Sequence, residues 1–257
     1  MSGPIAVLGD VHLEPRRESR LFDALEATLR DVQSHDPSLL VVLGDVVQET
    51  APGTDRRLLR RFVDCLERTD VPFRCVPGNH DLAGLSPAAY RDVVGHDLWD
   101  IDPSADCVFL DSTAPHLDGG RGEVSEAQLA RLRDLRGELT DAVAFVHHPL
   151  ARQTLDGNYW HESAPAGAYC ANMDLVCDRL SAAGVATVVN GHLHWWGYVR
   201  SDDVVHATVD AFNKELHPRG ETGNYALVAP GDPASVTKVA GDGTAERLDG
   251  RFDRSPD

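Results

Sequence analysis

At 257 residues, 42% of them hydrophobic, the chain is long enough to bury a large core within one domain. Aspartate and glutamate total 41 against 24 lysines and arginines, and the formal charge of -17 works against nucleic acid as a partner unless a basic groove intervenes. No apolar run approaches the ~20 residues that span a bilayer, and Met1-Ser2-Gly3-Pro4 leads into a strand without a basic region or signal core, so a cytoplasmic protein with no membrane association is expected.

The first apolar run, residues 5–8, breaks into Asp10-Val11-His12. Helical periodicity follows over 19–34, and a second run at 39–43 closes on Gly44-Asp45. A second helix is predicted over 54–68, and the run at 73–76 gives way to Gly78-Asn79-His80-Asp81. Residues 108–110 form another apolar strand closing on Asp111, which is read as structural. A helix over 125–135 opens with Ser125-Glu126-Ala127-Gln128, the pattern of a capping box. The run at 143–146 ends in His147-His148-Pro149, and the irregular stretch 150–169 behind it has the length of a lid loop. A helix over 172–183 precedes the run 186–189 and Gly191-His192-Leu193-His194. Short strands then cluster at 196–200, 204–209, 225–228 and 235–239, an all-β segment expected to complete a second sheet. One domain over 1–240 is expected, with 241–257 as a frayed tail.

Helices between apolar strands give a layered α/β architecture, in which ligands bind at the carboxyl ends of strands. Five of those ends carry Asp, Asn or His, and none carries Cys. Imidazole and carboxylate oxygen suit Mn, Fe, Co or Zn. The candidate ligands are Asp10, His12, Asp45, Asn79, His147, His192 and His194, too many for one tetrahedral ion. If one carboxylate bridges, they supply four bonds to each of two ions, and such pairs clamp both oxygens of an in-line displacement at phosphorus. The cysteines, Cys65, Cys75, Cys107, Cys170 and Cys177, are odd in number without C-x-x-C and read as reduced thiols.

The ordered set D-x-H, G-D, G-N-H-D, H-H-P and G-H-x-H resembles the calcineurin-like metallophosphoesterase superfamily over residues 5 to about 210. The resemblance implies a four-layer α/β/β/α sandwich, two mixed β-sheets flanked by helices, around a dinuclear site of two divalent or transition metal ions (Mn, Fe or Zn). It implies Asp10, His12 and His194 on one metal, Asn79, His147 and His192 on the other, and Asp45 bridging. It also makes His80 the general acid or phosphorane stabiliser, opposite attack by a metal-bridging hydroxide. Phosphoprotein phosphatases of this superfamily have G-D-x-x-D-R-G, and Gln48 stands where their second Asp would be, which argues against that branch and leaves the partner of His80 open.

A Leu110-Asp111-Ser112 segment followed by a Gly and a helix looks like the branch holding cyclic nucleotide and glycerophosphodiester phosphodiesterases. The expected function is therefore phosphodiester hydrolysis on a small molecule, with a phosphomonoesterase, a DNA-repair-type nuclease and a non-catalytic scaffold as alternatives. Arg16 behind the first motif, with Tyr159 and Trp160 in the 150–169 stretch, are the candidate substrate contacts. His35, His96, His116, His206 and His217 have no motif partner.

Overall fold

Residues 3–102, 107–115, 117–140, 142–201, 203–213, 222–231 and 233–256 are described by the computed structural model; His116 and His217 lie outside them. Strands β1 (Ile5–Leu8), β2 (Leu39–Val42) and β3 (Phe73–Cys75) alternate with helices α1 (Glu18–Ser34) and α2 (Pro52–Glu67). Helices α3 (Asn79–Gly84) and α4 (Pro87–Val94) lead to β4 (Asp100–Ile101) and β5 (Cys107–Phe109). Helix α5 (Glu126–Asp134), β6 (Val143–Val146), α6 (Met173–Ala183) and β7 (Thr187–Asn190) follow. The remaining strands are β8 (Gly197–Ser201), β9 (Val204–Thr208), β10 (Tyr225–Ala229), β11 (Ser235–Val239) and β12 (Ala245–Arg247).

Two six-stranded sheets result, in the orders β12-β11-β10-β1-β2-β3 and β4-β5-β6-β7-β9-β8. Strand β1 runs parallel to β2, Ile5 opposite Leu39, and antiparallel to β10. In the second sheet β5, β6, β7 and β9 are parallel, with β4 and β8 antiparallel at the edges. Both sheets are mixed, as expected.

The period of two along β1 sets the layers. Ala6 and Leu8 face the apolar stripes of α1 (Leu21, Phe22, Leu25, Leu29) and α2 (Leu58, Phe62, Leu66). Ile5 and Val7 face the second sheet through Phe109, Val143 and Phe145. The Phe109 and Phe145 rings stack at 5.6 Å. Residues of alternate parity in β5 to β7, such as Val108, Ala144 and Val188, meet α5 and α6. Helix, sheet, sheet and helix therefore share three apolar interfaces. Each fully buried Leu, Val or Phe in them contributes about 1.5–3 kcal/mol.

Three expectations need correction. The carboxyl-terminal strands do not all complete the second sheet: β8 and β9 do, whereas β10 to β12 join the first beside β1. The segment from Gly241 is not frayed: β12 pairs with β11, Leu248 is buried, and the Arg254 guanidinium lies 3.6 Å over the Trp195 ring. Gln128 does not close a capping box by accepting from the Ser125 backbone. Its amide reaches to Asp111 just past β5, Oε1 accepting from Asp111 N at 3.0 Å and Nε2 donating to Asp111 O at 2.8 Å, with Nε2 also 3.2 Å from Ser125 Oγ. A buried, otherwise unpaired peptide outcompetes a local cap.

Candidate metal centre

Three of the five strands that close on a polar motif, β1, β2 and β7, run into left-handed backbone. Asp10, His12, Asp45, His192 and His194 have φ between 47° and 71°, a left-handed region that L-residues rarely occupy. The glycines beside them leave room for close approach. A Cβ on Gly78 would stand 2.1 Å from Asp45 Oδ1, and one on Gly191 would stand 2.6 Å from Asp10 Oδ2. The G-N and G-H motifs are therefore steric requirements for bringing the carboxylates in.

The motif residues converge as two groups sharing Asp45. In one, His194 Nε2 lies 3.3 Å from Asp10 Oδ1 and 3.0 Å from His12 Nε2. In the other, His147 Nε2 lies 3.0 Å from Asn79 Oδ1 and 3.2 Å from His192 Nδ1. Asp45 Oδ2 sits between them, 3.4 Å from His147 Nε2 and 3.9 Å from His12 Nε2. Ligand atoms of Asp10, His12 and His194 lie within 4.8 Å of one another, as do those of Asp10, Asp45 and His147. The outer ring nitrogens are anchored: Leu43 O faces His147 Nδ1 at 2.7 Å, and Gly167 O faces His192 Nε2 at 2.9 Å. With the ring neutral, those acceptors take the outer N–H and leave the inner nitrogen its lone pair.

The charge balance follows from burial. Desolvation raises the Asp10 carboxyl, but the facing His194 more than offsets it and leaves the group below its usual range. Desolvation raises Asp45 too, and His147 and His80 outweigh it. Burial lowers His147, yet Asp45 and Asp10 lift it to about 9. Burial and His194 take His12 down to about 3, and burial with His148 and His147 lowers His192. The buried carboxylates thus favour a proton on His147, whereas His12 and His192 resist protonation. Such a nitrogen and oxygen set fits hard to borderline cations and leaves no role for a thiolate ligand.

Residues 3–196 match the Calcineurin-like phosphoesterase family. The chain belongs to that family. As a calcineurin-like phosphoesterase it is a metal-dependent enzyme, and the Asp, His and Asn set is its candidate site for two divalent ions. No curated protein matches by sequence. Among solved structures it is similar to a dimetal phosphatase from Danio rerio, at 16% identity and TM-score 0.74, covering 96% of this chain and 98% of that one. It is also similar to the purple acid phosphatase PPD1 from yellow lupin seeds, at 12% identity and TM-score 0.63, covering 95% of this chain and 52% of that one. GAP50, the anchor in the inner membrane complex of Plasmodium, shares 14% identity at TM-score 0.61, with 96% and 88% covered. At such identities these likenesses concern the fold alone.

A cavity of about 460 Å³ opens over the candidate site of this calcineurin-like phosphoesterase. His80 lines it, with Nε2 4.0 Å from Asp45 Oδ2 and Nδ1 3.7 Å from Glu49 Oε2. Glu49, itself left-handed at φ 56°, supplies the carboxylate near His80 that Gln48 could not. Trp160 also lines the cavity and is 41% exposed. Tyr159 does not; it stands edge-on against Trp160 at 4.8 Å. Arg16 is exposed ahead of α1 and is not part of the lining.

Several residues outside the candidate ligand set hold the site. Asp81 is fully buried and accepts from Val46 N, Val47 N and Gly78 N at 2.9, 3.1 and 3.0 Å, clamping the Asp45 turn to the Asn79 turn. His148 lies between Ser112 Oγ at 2.7 Å and Gly120 O at 2.8 Å, behind His147. His161 enters the cavity wall, Nε2 3.3 Å from His192 O. Adjacency to a motif was the only available signal, and it reached Asp81 and His148 but not His161. The cysteines form no disulfide among the described residues, and no helix among them is long and apolar enough to cross a membrane.

Proposed function

We propose that the protein is a dinuclear metal-dependent phosphodiesterase acting on a small molecule in the cytoplasm. In this reading Asp10, His12 and His194 would hold one ion, Asn79, His147 and His192 would hold the other, and Asp45 would serve both. The observation that carries it is the placement of the Asp45 carboxylate between two clusters of inward-facing imidazole nitrogens. When bound, the two cations supply an activated water and neutralise charge at phosphorus. The remaining roles belong to the side chains. His80, aimed into the cavity, holds a proton for the leaving oxygen, and Glu49 orients its ring. Trp160 offers an aromatic face to the leaving group.

The preference for a diester rests on the lining. Among the described residues of the cavity wall there is no Lys or Arg, and Glu49 adds negative charge. A monoester dianion would meet no cation beyond the two ions, whereas a diester monoanion needs none. Cyclic nucleotides and glycerophosphodiesters are the natural diesters to screen. The deciding assay loads the protein with Mn or Zn and compares bis-p-nitrophenyl phosphate with p-nitrophenyl phosphate, using Asp45→Ala as control. Diester cleavage lost in the variant supports the reading. Monoester preference moves it to phosphatase chemistry, and inactivity on both rejects it.

A further inference from the structure

The stretch 150–169 lines the cavity with a single 3-10 turn, Pro165–Gly167, as its regular structure, as a mobile lid would, yet its contacts are those of a fixed wall. Asn158, buried at its centre, makes three side-chain hydrogen bonds. Its Oδ1 accepts from Trp160 N at 3.0 Å and His161 N at 2.9 Å. Its Nδ2 donates to Leu193 O at 2.9 Å, the carbonyl between His192 and His194. The same stretch touches that segment twice more, His161 Nε2 at His192 O and Gly167 O at the His192 ring. Its root is tied down by Thr154 N donating to Arg254 O at 2.7 Å.

We infer that Asn158 is a positioning residue that locks Trp160 and His161 to the His192-Leu193-His194 segment, so that the pocket wall and two of the proposed ligands move as one body. One carboxamide does both tasks because its oxygen and nitrogen face opposite partners. The oxygen sets the turn that presents Trp160 and His161, and the nitrogen fixes that turn relative to the site. The Leu193 side chain is fully buried, leaving its carbonyl as the handle. The effect on catalysis rests on the function proposed above, whereas the rigidity of the wall does not.

Two variants separate the halves. Asn158→Asp keeps an acceptor for the two amides but sets an anionic oxygen against Leu193 O; Asn158→Ala removes all three bonds. With Mn saturating, each is expected to raise KM for bis-p-nitrophenyl phosphate about tenfold, the cost of leaving a buried polar group unsatisfied. The metal count should stay at the wild-type value, and kcat should change far less than KM. An unchanged KM in both variants, or an equal fall in kcat and metal content, overturns the positioning role. Hydrogen exchange on the wild-type protein needs no variant to fold. The Trp160 and His161 amides should exchange at least about 100-fold slower than free peptide. Free exchange there overturns the fixed wall, even if the enzyme proves active; inactivity with slow exchange rejects the proposed function and leaves the wall standing.

Discussion

Replacing Asp81 by Asn should loosen the centre without touching any proposed ligand. Three backbone N–H groups donate to the two Asp81 oxygens, leaving no acceptor there for a carboxylic O–H, so this geometry calls for the ionised form. Burial and the nearby Asp45 push its pKa up, opposing that form. An Asn side chain retains one oxygen and turns an NH2 toward N–H donors. The loss is at least one charge-assisted bond, about 1.5–3 kcal/mol, plus an orphaned buried N–H at about 1–3 kcal/mol. Relief of carboxylate repulsion with Asp45 returns about 1 kcal/mol. The net destabilisation is about 3 kcal/mol, a fall in Tm of about 6–12 °C for a domain of this size. Urea and thermal melts of chelated Asp81→Asn measure it directly. Because Val46 N and Gly78 N flank Asp45 and Asn79, half-saturation with Mn should also require more metal. A loss below about 1 kcal/mol with unchanged metal demand would refute the clamp.

His80→Ala should lower kcat by about 10²- to 10⁴-fold with metal content intact, and loss of both metals would contradict a role apart from the ligands. Glu49→Gln should reduce kcat by less than about tenfold, since the carboxylate is half exposed and 3.7 Å away, and no change would remove it as the orienting partner. Burial holds the His206 pKa at about 4 against an ordinary 6.5. The folded protein therefore keeps it neutral where the unfolded chain protonates it. The associated stability is complete above pH 6.5 and declines by about 3 kcal/mol as pH falls to 4. In chelated protein, His206→Phe should flatten that part of the stability profile, and parallel profiles would exclude the assignment.

What was legible in the sequence was a strand end. Runs such as Val143 to Val146 announce themselves by apolar content, and the polar break after each marks where a ligand can stand. Helices α1 and α2 were visible because their apolar stripes are long, whereas α3 and α4 are too short to show a period. Sheet membership was not legible: β10 reads like β9, and only the tertiary contact of Tyr225, Ala226 and Val228 with the rest of the first sheet distinguishes them. Asp81 and Asn158 act through backbone groups of residues 35 positions away, which no local pattern records.

Left-handed backbone at five of the seven candidate ligands was equally invisible, and it bears on how the site works. Each such residue costs about 1–2 kcal/mol, so together they hold roughly 5–10 kcal/mol, comparable to the net stability of a whole domain. The cost is met by bonds that close around each reversal: Asp10 N to Gly44 O, His12 N to Asp45 O and His192 N to the Asp10 carboxylate. Asp10 thereby acts twice, as a candidate ligand and as the acceptor that holds the His192 turn. Removing it would release strain at a second strand end as well as one ligand atom. Asp10→Ala should consequently disturb both halves of the centre, whereas His194→Ala should disturb only one. The arrangement is strained but interlocked, so positions are fixed before any ion arrives. Preorganisation of that kind, more than the identity of the side chains alone, turns a set of Asp, Asn and His residues into a centre able to act on a phosphoester.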